Sequence, residues 1–223
     1  VVRRSFGKIP SYVPVGGASL FGWTVITGAG SVLNTAGVSA GAPTAVVGLG
    51  GVGLNAVMAA AIAGASPLIA IDVHEDKLAL AKSLGASHAV DARNPTALEE
   101  IRDLTKGGVA HAFEMAGTVA AFETAYAVLR PGGVLTSAGL APAAAEFSFK
   151  PYEMVSQEKR IQGSYMGSCT PAIDVPRFID YYRQGKLPVN QLRSGELGLD
   201  DNNLGFDRLS DGAVVRQILV PNL

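Results

Sequence analysis

Short apolar runs, many of them β-branched, alternate along most of the chain with amphipathic stretches that end in glycine. From residue 44 onward this alternation predicts repeated strand–helix–strand units. The predicted strands are residues 44–48, 68–72, 88–90, 110–115, 133–138 and, as a sixth, 160–165. The helices predicted between them are residues 52–63, 75–84, 96–104 and 119–129. Parallel strands with right-handed helical crossovers form a doubly wound sheet, so the predicted fold class is α/β.

The order of these elements also predicts where a ligand binds. Gly64, Gly85 and Gly107 stand at or just past predicted helix ends, where a left-handed backbone suits glycine. In a doubly wound sheet the ligand crevice lies at the carboxyl ends of the strands, which here means just after Gly48, Asp72 and Met115. Residues 1–27 and 166–223 do not fit the alternation, and we expect them to form a second structural layer beside a core domain of residues 28–165.

Composition narrows the classes of function. The chain has 223 residues, 48% of them hydrophobic, with 18 basic and 19 acidic side chains. This balance gives no electrostatic basis for binding nucleic acid or an anionic membrane, so small-molecule chemistry is favoured. The longest apolar stretch, residues 52–63, is too short to span a bilayer, and no signal peptide is recognisable.

Cysteine usage and the first residue add two expectations. The single cysteine, Cys169, excludes an intrachain disulfide and a cysteine-cluster zinc site within the chain, and it fits a reducing cytoplasm. Val1 stands where an initiator methionine would, so we expect the chain to be part of a larger protein.

A glycine-rich turn follows the first predicted strand directly and opens a helix. It reads Gly48-Leu49-Gly50-Gly51-Val52-Gly53. The first glycine permits a tight turn, the second allows close approach of a pyrophosphate, and the third allows close packing of helix and strand. The helix N-terminus then offers free N–H groups and a positive dipole. The alternative is a glycine turn used for packing alone.

Asp72 is the second part of this pattern. It ends the next apolar strand and lies 19 residues beyond Gly53, close to the spacing of about 20 at which a carboxylate binds the adenosine ribose hydroxyls. A carboxylate there would repel a 2′-phosphate, which favours NAD over NADP. A helix-capping role for Asp72 beside Glu75 is the alternative, and the two roles are compatible.

Beyond these two features, the chain resembles the coenzyme-binding half of the medium-chain, zinc-type alcohol dehydrogenases, whose nucleotide domain is a Rossmann fold. The resemblance is carried by residues 28–41 leading into the Gly48 turn, by Asp72-Val73-His74-Glu75-Asp76-Lys77, by Phe113-Glu114-Met115-Ala116-Gly117, by Arg130-Pro131-Gly132-Gly133, by Gly163-Ser164-Tyr165-Met166-Gly167-Ser168 and by Val215-Arg216-Gln217-Ile218-Leu219. It implies remnants of a GroES-like catalytic domain at both ends of the chain.

This resemblance implies hydride transfer between an alcohol carbon and nicotinamide, with zinc polarising the oxygen. It places Lys77 beside Asp72 at the ribose and Arg216 at the pyrophosphate, although a solvated lysine and an ordinary salt bridge are the alternatives. The predicted cofactor-binding residues are Gly48, Leu49, Gly50, Gly51, Val52, Gly53, Asp72, Val73, Lys77, Met115, Ala116, Leu140 and Arg216.

The chain departs from the family at the zinc site. Where zinc members usually have a cysteine ligand, this sequence has Trp23, whose indole has no basic lone pair for a metal. The remaining ligands belong to an N-terminal domain, so zinc is expected for the family but no metal ligand and no catalytic residue is assigned here. His74, His88 and His111 are too scattered to form a ligand set. We expect His111 to be a hydrogen-bonded core residue and Cys169 a small buried filler or a free thiol.

Several functional hypotheses remain open at this point. The first is an NAD-dependent alcohol or aldehyde oxidoreductase of which this chain supplies the NAD-binding part, with little or no turnover by the chain alone. The alternatives are a catalytically silent NAD-binding module, a zinc-free reductase of the same superfamily and a methyltransferase-like nucleotide fold. The resemblance further implies a homodimer or tetramer, and we predict that residues 133–138 extend the sheet into a partner's.

Overall fold

The computed structural model describes residues 9–11, 13, 15–212 and 214–221. Residues 1–8 of the predicted N-terminal segment therefore lie outside the described residues. Six parallel strands form one sheet in the order β3-β2-β1-β4-β5-β6, which confirms the doubly wound α/β fold. They are β1 (Thr44–Val47), β2 (Leu68–Asp72), β3 (His88–Asp91), β4 (Val109–Glu114), β5 (Leu129–Ser137) and β6 (Arg160–Gly163).

The α-helices pack on both faces of this sheet and beside it. In chain order they are α1 (Val15–Ala18), α2 (Thr24–Gly30), α3 (Gly51–Ile62), α4 (Glu75–Ser83), α5 (Ala97–Thr105), α6 (Val119–Ala127), α7 (Pro151–Ser156), α8 (Pro171–Arg183) and α9 (Asn202–Ser210). Short 3-10 turns cover Ser19–Gly22, Met166–Ser168, Val189–Leu192 and Leu199–Asp201, and a π-helical segment, Ser31–Ala36, continues α2.

The side chains of β1 point alternately to the two faces of the sheet, and a separate core layer lies on each face. Val46 points into the cluster that contains α2 and α3, whereas Ala45 and Val47 point into the cluster on the opposite face. This is the two-residue period of a strand buried on both faces. Gly64, Gly85 and Gly107 have φ values of +78°, +115° and +118°, as predicted for residues past helix ends.

Helix α2 was not predicted, and it packs directly on α3. A Cβ atom on Gly28 would lie 2.2 Å from the Val52 carbonyl oxygen, so only glycine permits this approach. The predicted boundary between residues 27 and 28 falls inside α2. The division of the chain into three segments stays a prediction.

The strand that was predicted to pair with a second copy of the chain lies inside the sheet and not at its edge. β5 begins at Leu129, four residues earlier than predicted, so α6 ends at Ala127. β5 pairs with β4 on one side and with β6 on the other. Residues 134–137, the middle of the predicted 133–138 segment, are therefore paired on both sides and have no free edge for a partner, because β6 covers it. The outer edge on this side belongs to β6.

His111 also differs from its prediction. It lies in β4 as expected, but it is only half-buried, and its Nδ1 has no hydrogen-bond partner among the described residues. Its ring stacks on Phe113 with 6.5 Å between ring centroids, and that neighbour offers no acceptor. Burial, together with Arg160 and Arg130, lowers the pKa of His111.

The last part of the chain forms a small second sheet. Strands β7 (Arg193–Leu197) and β8 (Arg216–Leu219) run parallel, with Arg193 opposite Arg216. Within the described ranges, no helix combines the length and the apolarity that crossing a membrane requires.

Candidate functional site

The glycine-rich turn joins β1 to α3 with very little space between strand and helix. Gly48 has φ +90°, and a Cβ there would lie 2.7 Å from the Ala116 Cβ. A Cβ on Gly53 would lie 1.8 Å from the Gly48 carbonyl oxygen. Both glycines are therefore required by the fold itself, as the sequence pattern predicted.

Gly50 is different, because no contact with the described residues requires it to be glycine. Its φ of −73° suits any residue, and no heavy atom lies within 4 Å of a Cβ built on it. As the N-cap of α3, glycine leaves the first N–H groups of that helix without a side-chain cap. The result is open space in front of free donors and a positive helix end, which is an anion-binding arrangement.

Asp72 lies beside this turn at the end of β2. Its Oδ2 accepts the Leu49 N–H at 2.6 Å, and its Oδ1 accepts the Val73 N–H at 2.7 Å and the His74 N–H at 3.0 Å. The His74 ring nitrogen Nδ1 lies 2.8 Å from Oδ1. Burial alone would raise the pKa of Asp72, but the hydrogen bonds from Leu49, His74 and Val73 outweigh it and lower the pKa. Asp72 is thus a carboxylate, and Oδ2, with one donor, can accept another.

A cleft of about 590 Å³ opens along the carboxyl ends of β1 and β2. Lys77 is only 8% exposed and lines this cleft, so it is not the freely solvated lysine that was the alternative. A Cβ on Gly212 would lie 2.9 Å from His74 Nε2 and 3.3 Å from Lys77 Nζ. The residues after α9 therefore close the cleft on the side of α4. Predicted site residues that line it are Gly48, Leu49, Gly50, Asp72, Val73, Lys77, Met115 and Ala116.

A second cavity of about 600 Å³ continues from the same place at the carboxyl ends of β4, β5 and β6. Met115 and Ala116 line both spaces and so form the junction between them. Val52 and the 74%-exposed Leu140 belong to the second cavity. Its remaining lining comes from Trp23, Thr27, Phe122, Ser137, Ala138, Gly139, Ile161, Gln162, Gly163, Ser164, Tyr165 and Met166.

Glu114 organises the junction, and the sequence analysis did not single it out as a functional residue. It is 2% exposed, and Oε1 accepts the N–H groups of Ala116 at 2.8 Å and Gly117 at 2.6 Å. Its Oε2 accepts the Ser137 hydroxyl at 2.7 Å. One carboxylate thereby ties the turn after β4 to the end of β5. A buried glutamate at the end of an apolar strand was the signal for this role.

Arg216 reaches the glycine turn from the other end of the chain. A Cβ on Gly51 would lie 2.4 Å from Arg216 Nε, so the guanidinium stem packs directly against the start of α3. Within the described part of the chain, Arg216 forms no ion pair and its buried Nε has no partner. Burial lowers its pKa. A partly buried cation without an anion beside a helix N-terminus is suited to bind one.

The described residues offer no site for the zinc that the resemblance implies. Among the described residues, no three histidine, cysteine or acidic side chains are grouped to hold a metal. Trp23 lines the second cavity and supplies no lone pair. Cys169 is a free thiol, half-buried, but Asn34 donates to its Sγ at 3.3 Å, and burial together with Asp174 raises its pKa to about 12. The thiol is therefore protonated at neutral pH.

The fold and these two joined spaces define a dinucleotide-binding domain: a phosphate turn at the crossover of a doubly wound sheet, with a carboxylate on one side and a second cavity on the other. Within this class, the sequence pattern of the family described as zinc-binding dehydrogenase matches residues 51–182. The chain belongs to that family, as the resemblance predicted.

Individual relatives agree with this assignment. The chain is 34% identical over 221 residues to S-(hydroxymethyl)glutathione dehydrogenase of Paracoccus denitrificans, covering 96% of this chain and 59% of the relative. Among solved structures it resembles an alcohol dehydrogenase zinc-binding domain protein from Burkholderia ambifaria, with a TM-score of 0.91 and 31% identity, covering 96% of this chain and 57% of the other.

Benzyl alcohol dehydrogenase from Acinetobacter calcoaceticus gives the same TM-score of 0.91 at 30% identity, with 96% and 59% of the two chains covered. The chain thus spans little more than half the length of these relatives. The comparisons favour the alcohol dehydrogenase branch over the zinc-free reductases and a methyltransferase-like fold. Zinc-type alcohol dehydrogenases use NAD.

Proposed function

We propose that this chain is the NAD-binding part of an alcohol or aldehyde oxidoreductase. The observation that carries the proposal is Gly50, a glycine that the protein's own packing does not need, in front of the uncapped N-terminus of α3. Space kept free at that point fits a pyrophosphate, and the guanidinium of Arg216 lies beside it to balance the charge.

Each end of the site has a distinct role in this proposal. Asp72 accepts the adenosine ribose hydroxyls in the 590 Å³ cleft, and Lys77 lies in the same wall. The 600 Å³ cavity beyond Met115 holds the nicotinamide ring and the reacting carbon of the substrate. When bound, NAD supplies the hydride acceptor for an alcohol carbon. Glu114 keeps the Ala116–Gly117 turn fixed, so that the two ends of the coenzyme are held at a constant separation.

The substrate class and the assembly are parts of the same proposal. We propose a small alcohol or aldehyde as substrate, because the two matched structures are named for alcohols and the second cavity is lined mainly by apolar side chains. We also propose a homodimer or tetramer in which the outer edge of β6, rather than residues 133–138, pairs with a second copy. The single cysteine fits a cytoplasmic location.

Calorimetric titration with NADH and then NADPH tests the coenzyme assignment. We expect NADH to bind more tightly than NADPH, because Asp72 repels a 2′-phosphate. Replacing this carboxylate in Asp72→Asn is expected to weaken NADH binding by about tenfold or more.

Asp91→Asn is the matched control. Asp91 is the register partner of Asp72 in the next strand, but it pairs with the exposed Arg93 at 2.7 Å. NADH affinity is expected to be unchanged in this variant. Equal loss of affinity in both variants, or no binding of either coenzyme to the wild-type protein, would show that the proposed site is wrong.

A further inference from the structure

Trp23 is left out of the core of an otherwise buried segment. It separates the Ser19–Gly22 turn from α2, with φ −133° and ψ −59°. Phe21 and Val25 on either side are fully buried, whereas Trp23 is 48% exposed. Large aromatic side chains contribute strongly to folding when they are buried, so this indole adds little to the packing of its own segment. The exposed part of the indole is therefore available for contacts outside the core.

The indole lies at the second cavity, on the wall next to α2. Tyr165, 70% exposed, lines the same cavity from the loop after β6. Val52, Met115 and Leu140 supply further apolar surface. A concave space with this lining favours a ligand that is itself apolar.

Most polar side chains of this cavity are already used within the protein. The Ser137 hydroxyl donates to Glu114, and Gln162 Nε2 donates to Thr136 Oγ1 at 2.9 Å. Ser164 Oγ lies 2.9 Å from Ser31 Oγ and 2.8 Å from Thr35 Oγ1. These groups therefore have little capacity left for a polar ligand.

Thr27 is the exception among these side chains. Thr27 lines the cavity, and its Oγ1 has no partner among the described residues, but this atom has almost no accessible surface of its own. The cavity thus combines an apolar, aromatic wall with few polar side-chain groups that a ligand can reach, and the exposed Tyr165 hydroxyl is one of them.

We propose that Trp23 is a substrate-binding residue, a flat wall against which an aromatic alcohol or aldehyde packs, in place of a metal ligand on this side of the cavity. This rests on the proposed function, because the substrate must lie beside the nicotinamide ring. Trp23 contributes ring contact, and the small number of free polar side-chain groups in the cavity suits a ligand with few polar atoms. The zinc that the family implies receives no ligand from this wall.

The test is calorimetric titration of the NADH-saturated protein with benzyl alcohol, and with ethanol as a ligand that has no ring. Trp23→Leu keeps an apolar side chain of similar length, and Trp23→Phe keeps an aromatic ring. We expect benzyl alcohol to bind about tenfold more weakly to Trp23→Leu and within about threefold of wild type to Trp23→Phe. NADH and ethanol affinities are expected to stay within about twofold in both variants.

Trp23 is the sole tryptophan of the chain, which gives a direct second readout. Benzyl alcohol is expected to shift its emission, whereas ethanol is not. Equal affinity of wild type and Trp23→Leu for benzyl alcohol would overturn the proposal. If NADH does not bind, the proposed function fails separately, and the same comparison on the protein alone still decides the role of Trp23.

Discussion

Gly53 approaches the Gly48 carbonyl so closely that a Cβ on residue 53 would lie 1.8 Å from that oxygen. The helix of the phosphate turn therefore begins in direct contact with the strand before it. No rotamer change can relieve a clash between a Cβ and a backbone atom, so the turn or the helix would have to move.

Gly53→Ala is expected to lower the free energy of unfolding by about 3 kcal/mol or more, because it overpacks the turn. Urea denaturation followed by circular dichroism measures this loss. Gly50→Ala is the control: with φ −73° and open space, it should change stability by less than about 1 kcal/mol. Similar stabilities for the two variants would contradict this account of the turn.

The Arg216→Met variant tests whether Arg216 contributes to NADH binding or to the stability of the fold. The buried Nε has no partner in the described structure, so removing the charge is expected to leave the free energy of unfolding unchanged or to raise it. NADH affinity is expected to fall about tenfold or more, because the pyrophosphate loses its cation. Calorimetry and thermal unfolding of the same sample measure both quantities. A variant that loses stability and keeps NADH affinity would show that Arg216 is structural.

Glu114→Gln is expected to destabilise the fold by about 1–3 kcal/mol, because the amide nitrogen cannot accept the hydrogen bonds that one carboxylate oxygen now receives. The turn at residues 116–117 would loosen, and NADH would bind more weakly. Hydrogen exchange of the Ala116 and Gly117 amides measures the local effect. Glu123→Gln on the outer face of α6 is the control, and unchanged exchange in Glu114→Gln would be inconsistent with the proposed role.

The stabilising effect of Asp72 should depend on pH. Its pKa in the folded state lies below the ordinary value of 3.8, so the folded protein holds the ionised form more strongly than the unfolded chain does. The stabilisation is therefore fully present above that value and is lost as pH falls through the lower folded-state pKa. At pH 7 the free energy of unfolding of the wild type should exceed that of Asp72→Asn by about 1–2 kcal/mol. The difference should shrink in urea titrations below pH 3.8; a difference that does not vary with pH would argue against an ionised Asp72.

The chain by itself is expected to bind no zinc tightly and to show little or no zinc-dependent alcohol oxidation. The described residues hold no grouped ligand set, and the pKa of Cys169 is raised to about 12. Elemental analysis after dialysis against zinc measures the stoichiometry, with Cys169→Ser as the control that should give the same value. One zinc per chain, lost in that variant, would contradict the prediction.

The sequence was informative wherever local pattern and tertiary role coincide. The strands around Gly48 and Asp72 were predictable because a buried parallel strand is a continuous apolar run, and the glycine spacing follows from the close contact of helix and strand. Helix α2 was missed, because small residues such as Gly28 are poor helix formers in isolation and are selected here by contact with α3.

The second cavity was less predictable than the phosphate turn. Thr27 comes from α2, whereas Ser164 and Tyr165 come from the loop after β6, and only the tertiary fold brings them to one cavity. Glu114 was visible in the sequence, but its role depends on the positions of the Gly117 N–H and the Ser137 hydroxyl, which no spacing rule gives. The sequence pattern likewise did not show that β6 lies beside β5 at the end of the sheet, so that β6 and not β5 has the free edge.

The position of Arg216 also affects how the protein is made. The ribosome completes the glycine turn more than 160 residues before it adds this arginine, and synthesis proceeds at about 5–20 residues per second. A nascent chain therefore carries an open phosphate turn that lacks its cation. If the coenzyme binds as proposed, its stabilising effect is fully available only after β8 has been synthesised and has folded back onto α3, so it would protect chains that have been translated that far.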